Sequence, residues 1–322
     1  MRAIQVERYG GPEVLTGVDL ETPGPGAGQV LVDVAASGVN YVDTYRRSGR
    51  YRDPLPFVPG VEGAGTVVAI GEGVTGLAVG DHVGWVAGPG SYAGQVALEA
   101  ARTVPLPPGI SDELAAAVLL QGLTAHYLCT STYAVQPGDS VLVHAAAGGV
   151  GLLLTQMVKL RGGRVIGTVS SDEKASLARG AGADEVIRYD RVDFTEETRR
   201  LTGGEGVAVA YDGVGRTTFD GSLASLRPRG MLALFGAASG PAPPFDPQRL
   251  QAGSLFLTRP TLGHYTSGRD ELLARAHEVL DWVSAGRLAV HMGGRYALDD
   301  ARRAHEDLEG RRTAGKLILL PG

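Results

Sequence analysis

The stretch Asp139-Ser-Val-Leu-Val-His-Ala-Ala-Ala-Gly-Gly-Val-Gly151 decides the fold. Ser140 to Ala145 is apolar and strand-like, and beyond it Val150, Leu153, Leu154, Met157 and Val158 recur at helical spacing. A short buried strand therefore turns through glycines into a helix. Ala146, Gly148 and Gly151 fit A-x-G-x-x-G, a variant of the pattern that holds a dinucleotide pyrophosphate. Gly148 has no side chain to keep a phosphate from the backbone, and Gly151 lets the helix lie close to the strand. Free N–H groups at the helix start then face the anion, helped by the helix dipole. In a chain with 48 glycines the trio alone is weak, and the strand and helix around it make it specific.

Outward from this turn, Val141–Ala145, Arg164–Val169, Glu185–Ile187, Val207–Tyr211 and Met231–Phe235 read as strands. They alternate with helical stretches near 149–162, 172–181, 194–202 and 217–226. That rhythm predicts an α/β fold with a doubly wound parallel sheet. Upstream, Gln29–Val34, Gly65–Gly71, Asp81–Val86 and Tyr92–Leu98 are short strand-like runs between glycines and prolines, the mark of a mainly β, barrel-like unit. Pro105-Leu-Pro-Pro-Gly109 stops the chain, and Ser111 is a candidate N-cap with Asp112 and Glu113 in the first turn. Downstream come an amphipathic helix over Arg269–Ala285, a strand, a helix over Asp299–Glu309 and a last strand at Lys316–Leu320. A parallel sheet in mid-chain implies an inserted domain. Residues 1–122 with 263–322 are expected to form one domain, and residues 123–262 a dinucleotide-binding domain whose ligand lies at the carboxyl ends of the strands.

The 322 residues are 43% hydrophobic and 20% charged, ordinary for a globular protein, and a formal charge of −5 gives no broad basic face for nucleic acid. No run approaches the ~18 apolar residues that span a bilayer, and the N-terminus is strand-like with no secretory pattern. A cytoplasmic protein is expected, with no membrane partner. Cys129, the one cysteine, excludes an intrachain disulfide and any site needing two cysteine ligands. Its helical, apolar flanks point to a buried thiol and not a nucleophile. The seven histidines are scattered, and H-E-x-x-H, G-x-S-x-G and Walker A patterns are missing. Only Lys159, Lys174 and Lys316 are lysine; the other basic residues are arginine.

Several segments together resemble one family. They are Gly10-Gly-Pro-Glu-Val-Leu15, Ser37-Gly-Val-Asn-Tyr-Val-Asp-Thr-Tyr45, Pro59-Gly-Val-Glu-Gly-Ala-Gly65, Leu106-Pro-Pro-Gly109, Gln121-Gly-Leu-Thr-Ala125, the glycine turn, Tyr211-Asp-Gly-Val-Gly215 and Thr258-Arg-Pro260. In this order, over essentially the whole length, the chain resembles the zinc-independent quinone oxidoreductases, the zeta-crystallin-like branch of the medium-chain dehydrogenase/reductase superfamily. The resemblance implies a Rossmann domain inserted into a GroES-like catalytic domain, NADPH-dependent reduction of quinones by hydride transfer, and a homodimer joined through the Rossmann sheet edge. Zinc-dependent relatives carry a cysteine near Asn40 and a histidine where Val61 stands. Without both, no metal is expected, and Glu62 reads as a structural carboxylate.

The resemblance also places site residues. Asn40, Asp43 and Tyr45 lie beside the nicotinamide as catalytic candidates, though singly they read as a turn residue, a cap and a wall. Tyr51, Thr124 and Tyr127 reach toward the same crevice. Gly148, Gly149 and Val150 meet the pyrophosphate, and Gly213, Phe235, Gly236, Thr258 and Arg259 complete the coenzyme contacts. Gly213 departs from the serine common in close relatives, and Gln121 stands where some carry lysine. NAD-preferring domains usually have an acid about 20 residues past the glycines, at the end of the second strand. Here Ser170 occupies that place, with Ser171 next and a positive charge at Lys174. By resemblance Ser170, Lys174, Tyr189 and Arg311 surround a 2′-phosphate. Asp172 and Glu173 keep NADH as the lesser option.

Two alternatives accompany quinone reduction. One is a reductase of enones and other α,β-unsaturated carbonyls. The other is a non-catalytic nucleotide- or RNA-binding, crystallin-like role. The acidic balance opposes RNA, and the uninterrupted glycine turn with Ser170 and Lys174 opposes a purely structural protein.

Overall fold

A computed structural model describes residues 1–322. The chain divides into two compact units, residues 1–121 with 266–322 and residues 122–265. It opens with the antiparallel pair β1 (Arg2–Gln5) and β2 (Thr16–Asp19), then β3 (Gln29–Val39), α1 (Tyr41–Arg47), β4 (Glu62–Ile70), β5 (His82–Val86), β6 (Gln95–Glu99) and β7 (Thr103–Pro105). Helix α2 (Asp112–Tyr127) carries the chain into the second unit, and the Leu114 N–H donates to Ser111 Oγ as the sequence leads one to expect.

The second unit alternates β8 (Ser140–Val143), α3 (Gly149–Leu160), β9 (Arg164–Val169), α4 (Asp172–Gly180), β10 (Glu185–Arg188), α5 (Phe194–Leu201), β11 (Val207–Asp212), α6 (Phe219–Ala224), β12 (Leu226–Leu234) and β13 (Phe256–Thr258). The chain then returns through α7 (Arg269–Ser284), β14 (Met292–Ala297), α8 (Ala301–Glu309) and β15 (Lys316–Leu320).

In the first unit β3 is the organising strand. It pairs β4 along one side, while β6 and then β15 share the other. Its alternating Val30, Val32 and Val34 pack with Val67, Val83, Trp85, Val96 and Leu98, the period-2 burial of a half-buried strand. A second cluster gathers Ile4, Val6, Tyr92, Val39, Leu317 and Leu319.

The sheet of the second unit is parallel in the order β10-β9-β8-β11-β12-β13. Leu142, Ile166, Ile187, Ala210, Leu232 and Leu234 share a core with Phe219 and Leu223 of α6. Parallel strands covered on both faces read as continuous apolar runs, which is why Val207–Tyr211 was so legible.

Two features differ from the sequence reading. Strand β12 begins at Leu226, five residues earlier than expected, and α6 ends at Ala224. Pro228 offers no N–H and Arg229 sits at φ +61°, so the early pairing is broken by a register shift and leaves little strand signal. The run Asp112–Thr132 is also long and apolar enough, by length and composition, to cross a membrane. Yet 78% of its apolar window is buried inside the protein, as in a core helix.

Candidate active site

Three strand ends meet in the first unit. The Leu317–Val39 and Ser37–Gly63 pairs bring Lys316, Asn40 and Glu62 to the same end of neighbouring strands. All three are buried. Lys316 Nζ donates to Glu62 Oε2 and, at 2.9 Å, to Asn40 Oδ1. Asn40 Nδ2 donates to Glu62 Oε2 at 2.9 Å, and Gln121 Nε2 to Asn40 Oδ1 at 3.2 Å. The Leu120 N–H donates to Glu62 Oε1 at 2.6 Å. An ammonium can only donate, so Asn40 must turn its oxygen to Lys316 and its amide hydrogens to Glu62. Gly38 makes the cluster possible, since a side chain there would run into both the carboxylate and the ammonium. Glu62 is therefore the structural carboxylate the sequence suggested. Lys316 was not foreseen as its partner.

Asp43 lies one turn into α1, fully buried, and accepts the Asn40 N–H at 2.8 Å, as an N3 acid does in a capping box. Its other oxygen, Oδ1, has no hydrogen-bond partner. Burial pushes the carboxyl up to about 7, against the pull of the Asn40 N–H and the Lys316 charge. Tyr92 Oη donates to Asp43 at 3.3 Å and sits 3.0 Å from His305 Nε2, while His305 Nδ1 lies 3.0 Å from Arg47 Nη1. Arg47 is buried and also donates twice to Glu309, at 2.9 and 3.0 Å. A guanidinium never accepts, so Nδ1 of His305 is the acceptor and Nε2–H donates to Tyr92. Burial and the adjacent Arg47 charge hold His305 down at about 3, which keeps the ring neutral. Tyr45 is buried on the same helix, edge-on to Tyr51 at 5.5 Å with the Arg50 guanidinium 4.7 Å over its ring.

In the second unit the expected coenzyme residues gather at the carboxyl ends of the parallel strands. The glycine turn follows β8, and Ala145 in it takes φ +50°, a left-handed conformation that costs a non-glycine residue of order 1 kcal/mol. The first bond inside α3 runs from the Leu152 N–H to the Gly148 carbonyl, so the amides of Gly149, Val150 and Gly151 have no partner within the helix. Near a Cβ at Gly148 there would be only the Ala145 carbonyl, at 3.1 Å, whereas one at Gly151 would stand 2.8 Å from Ala146 Cα. These are the open cradle and the close helix–turn contact that the pattern calls for.

After β9 come Ser170 and Ser171, and Ser171 Oγ caps α4 by accepting the Lys174 N–H at 3.2 Å. The Tyr189 N–H bonds the Val169 carbonyl, which brings Tyr189 beside Ser170. Asp172, the acid that could turn toward a ribose, pairs with Arg188 and, at 3.0 Å, with Arg191. Gly213 and Gly236 approach closely at the ends of β11 and β12, since a Cβ on Gly236 would stand 2.7 Å from Gly213 Cα. A Cβ on Gly213 would stand 2.9 Å from the Phe235 ring, which gives the glycine there a local reason. Thr258 ends β13, and Arg259 Nη1 donates to the Leu234 carbonyl at 2.7 Å. Thr124 and Tyr127 are buried on α2, and Tyr127 stacks on Tyr265 at 4.2 Å. Arg311, with Asn40, Asp43 and Tyr45, belongs to the first unit.

Sequence reasoning missed Lys316, the Tyr92–His305–Arg47 chain and the Arg188–Asp172–Arg191 pairing. The scarcity of lysine was a faint signal for the first. The Tyr92–His305–Arg47 chain joins residues more than 200 positions apart, the two arginines lie 16 and 19 positions from Asp172, and neither left a signal.

Comparison with known proteins fits this layout. Residues 26–108 match the family model of the alcohol dehydrogenase GroES-like domain, and residues 149–285 that of the zinc-binding dehydrogenases. A quinone oxidoreductase of Pseudomonas aeruginosa is 46% identical over 323 residues, 99% of each chain. A mycobacterial protein solved in complex with NADPH superposes with a TM-score of 0.97 at 53% identity, covering 100% of both chains. A 2-haloacrylate reductase of a Burkholderia species is 41% identical over 99% of this chain and 98% of its own. The donor set does not fit a catalytic zinc. Asparagine and valine stand at positions 40 and 61, both Glu62 oxygens are engaged, and no group of three or more His, Cys, Asp or Glu side chains gathers anywhere.

Proposed function

We infer the function from one premise: the chain belongs to the quinone oxidoreductases of the medium-chain dehydrogenase/reductase superfamily. It is an oxidoreductase that reduces quinones with NADPH, and the observation that carries this is the full-length likeness to a quinone oxidoreductase. NADPH, when bound, supplies a hydride from nicotinamide C4, and a proton from water completes the hydroquinone. The open turn at Gly148–Val150 offers backbone amides to the pyrophosphate. Ser170, Lys174 and Tyr189 receive the 2′-phosphate, where a hydroxyl and a cation attract the charge that an acid would repel. Asp172 is held by two arginines and so does not take the ribose.

In the first unit, Asn40 acts as a fixed wall beside the reacting atoms, because the Lys316, Gln121 and Glu62 bonds lock its amide. Asp43 braces the start of α1, and Tyr45 shapes the acceptor side. No side chain has to serve as a nucleophile, since a quinone is already electrophilic. The reaction proceeds without zinc, because the donors that would hold the metal are absent or occupied. The likeness to a 2-haloacrylate reductase supports a second acceptor class, activated C=C bonds, through the same hydride transfer. The buried thiol of Cys129 suits a reducing, cytoplasmic setting. Two copies pair through the free edge of β13.

A steady-state screen of NADPH and NADH against quinones and activated alkenes, and of NADP+ and NAD+ against alcohols, tests the reading. Saturable turnover with NADPH and quinones, and none with alcohols, is expected. A preference for alcohol oxidation would sink it.

A further inference from the structure

Beneath the coenzyme edge of the second unit lies a buried polar chain that none of the roles above uses. His144 directly follows β8, Thr168 lies on β9, Asp212 ends β11 and Ser222 sits on α6; all four are buried. His144 Nδ1 is 3.0 Å from Thr168 Oγ1, and His144 Nε2 is 2.9 Å from Ser222 Oγ. Ser222 Oγ donates to Asp212 Oδ2 at 2.8 Å.

The direction of every bond follows from the far end. A carboxylate only accepts, so the Ser222 hydrogen goes to Asp212. His144 Nε2–H must then donate to Ser222, and the Thr168 hydroxyl donates to Nδ1. This requires a neutral ring, and burial depresses the His144 pKa in that sense. The other Asp212 oxygen accepts the N–H groups of Val214 at 2.8 Å and Gly215 at 3.0 Å, and the Thr218 hydroxyl at 2.9 Å. One carboxylate thus shapes the whole Gly213–Gly215 turn. Main-chain bonds tie the glycine turn to the same strands, from the His144 N–H to the Tyr211 carbonyl and from the Ala146 N–H to the Thr168 carbonyl, each 3.1 Å.

We propose that Thr168, His144 and Ser222 are positioning residues for the coenzyme: they hold Asp212, and with it the Gly213–Gly215 turn, in register with the Ala145–Gly151 turn. They touch no ligand themselves. The chain couples the turn after β8 to the turn after β11; its Thr168 end lies on β9, but the carboxylate it holds shapes only the Gly213–Gly215 turn, so it governs the pyrophosphate and nicotinamide half of the coenzyme. The proposal rests on the NADPH reading above.

Calorimetric titration of the full-length protein tests it with two probes. NADPH reads the whole site, and adenosine 2′-monophosphate, which lacks any 5′-phosphate, reads only the adenine and 2′-phosphate end. His144→Leu breaks both side-chain bonds and is expected to weaken NADPH about tenfold, the equivalent of one lost hydrogen bond. The same variant should leave adenosine 2′-monophosphate binding unchanged. His144→Gln can accept from Thr168 and donate to Ser222, so it should recover most of the loss. Ser222→Ala, a milder change, should weaken NADPH in the same direction. Equal weakening of both probes, or none, with wild-type NADPH binding intact, would overturn the positioning role alone. Wild-type protein that binds no NADPH would overturn the coenzyme reading along with it.

Discussion

Asp43 carries a titration that the fold must tolerate. Its carboxyl is raised to about 7 by burial, whereas in an unfolded chain it ionises near 4. Between those values the folded state binds more protons than the unfolded one, so this group makes stability fall as pH rises through that window. His305 works oppositely. Held down at about 3, it favours the fold above its ordinary value near 6.5, and that stability is lost as pH drops toward 3. Asp43→Asn can keep the Asn40 N–H bond while removing the first slope. Denaturant titrations should show the variant close to wild type near pH 4 and more stable by roughly 1–4 kcal/mol at pH 8. A constant difference across pH would refute this account of Asp43. At the coenzyme end, Lys174→Ala should raise the Michaelis constant for NADPH far more than for NADH. One charge-assisted contact to the 2′-phosphate is worth about 1.5–3 kcal/mol, and NADH has no phosphate there. Equal changes for both would remove Lys174 from the phosphate site. The place of Ser170 and Lys174 just past β9 was readable because strand and helix signals are local. Lys316 was not, because its carboxylate partner lies 254 residues away in sequence.

Among the elements, the strand–turn–helix at Ser140–Leu160 was fully legible, since hydrophobic period and glycine spacing act over a dozen residues. The start of β12 was hidden by Pro228 and the left-handed Arg229, which disguise a strand as a turn. The homodimer that the resemblance implies would join through an edge of the parallel sheet. In the structure β12 is covered on both sides by β11 and β13, so at this end of the sheet β13 offers the free edge. Phe256 on it is 55% exposed, an apolar ring that such a contact would cover. Light scattering should give twice the chain mass for the wild type and a shift toward the single chain for Phe256→Lys, because a charge on an edge opposes pairing. A wild-type monomer at micromolar concentration would contradict the edge-to-edge dimer.

For the molecule as a whole, the β-rich flanks and the alternating middle announced the architecture. The interior of the first unit's site could not be read, because Asn40, Glu62 and Lys316 meet only once β3, β4 and β15 are in register. That cluster also bears on the chemistry, since it engages the one carboxylate that might have served a metal. Under the proposed reaction, hydride transfer depends on NADPH and an electrophilic acceptor, and on nothing a chelator can remove. The most direct test is an anaerobic single turnover of chelator-treated protein with NADPH and 1,4-benzoquinone, following coenzyme oxidation and hydroquinone together. One hydroquinone should form for each NADPH consumed, at a rate the chelator leaves unchanged. Tight NADPH binding without turnover, or turnover restored only by added zinc, would contradict the account.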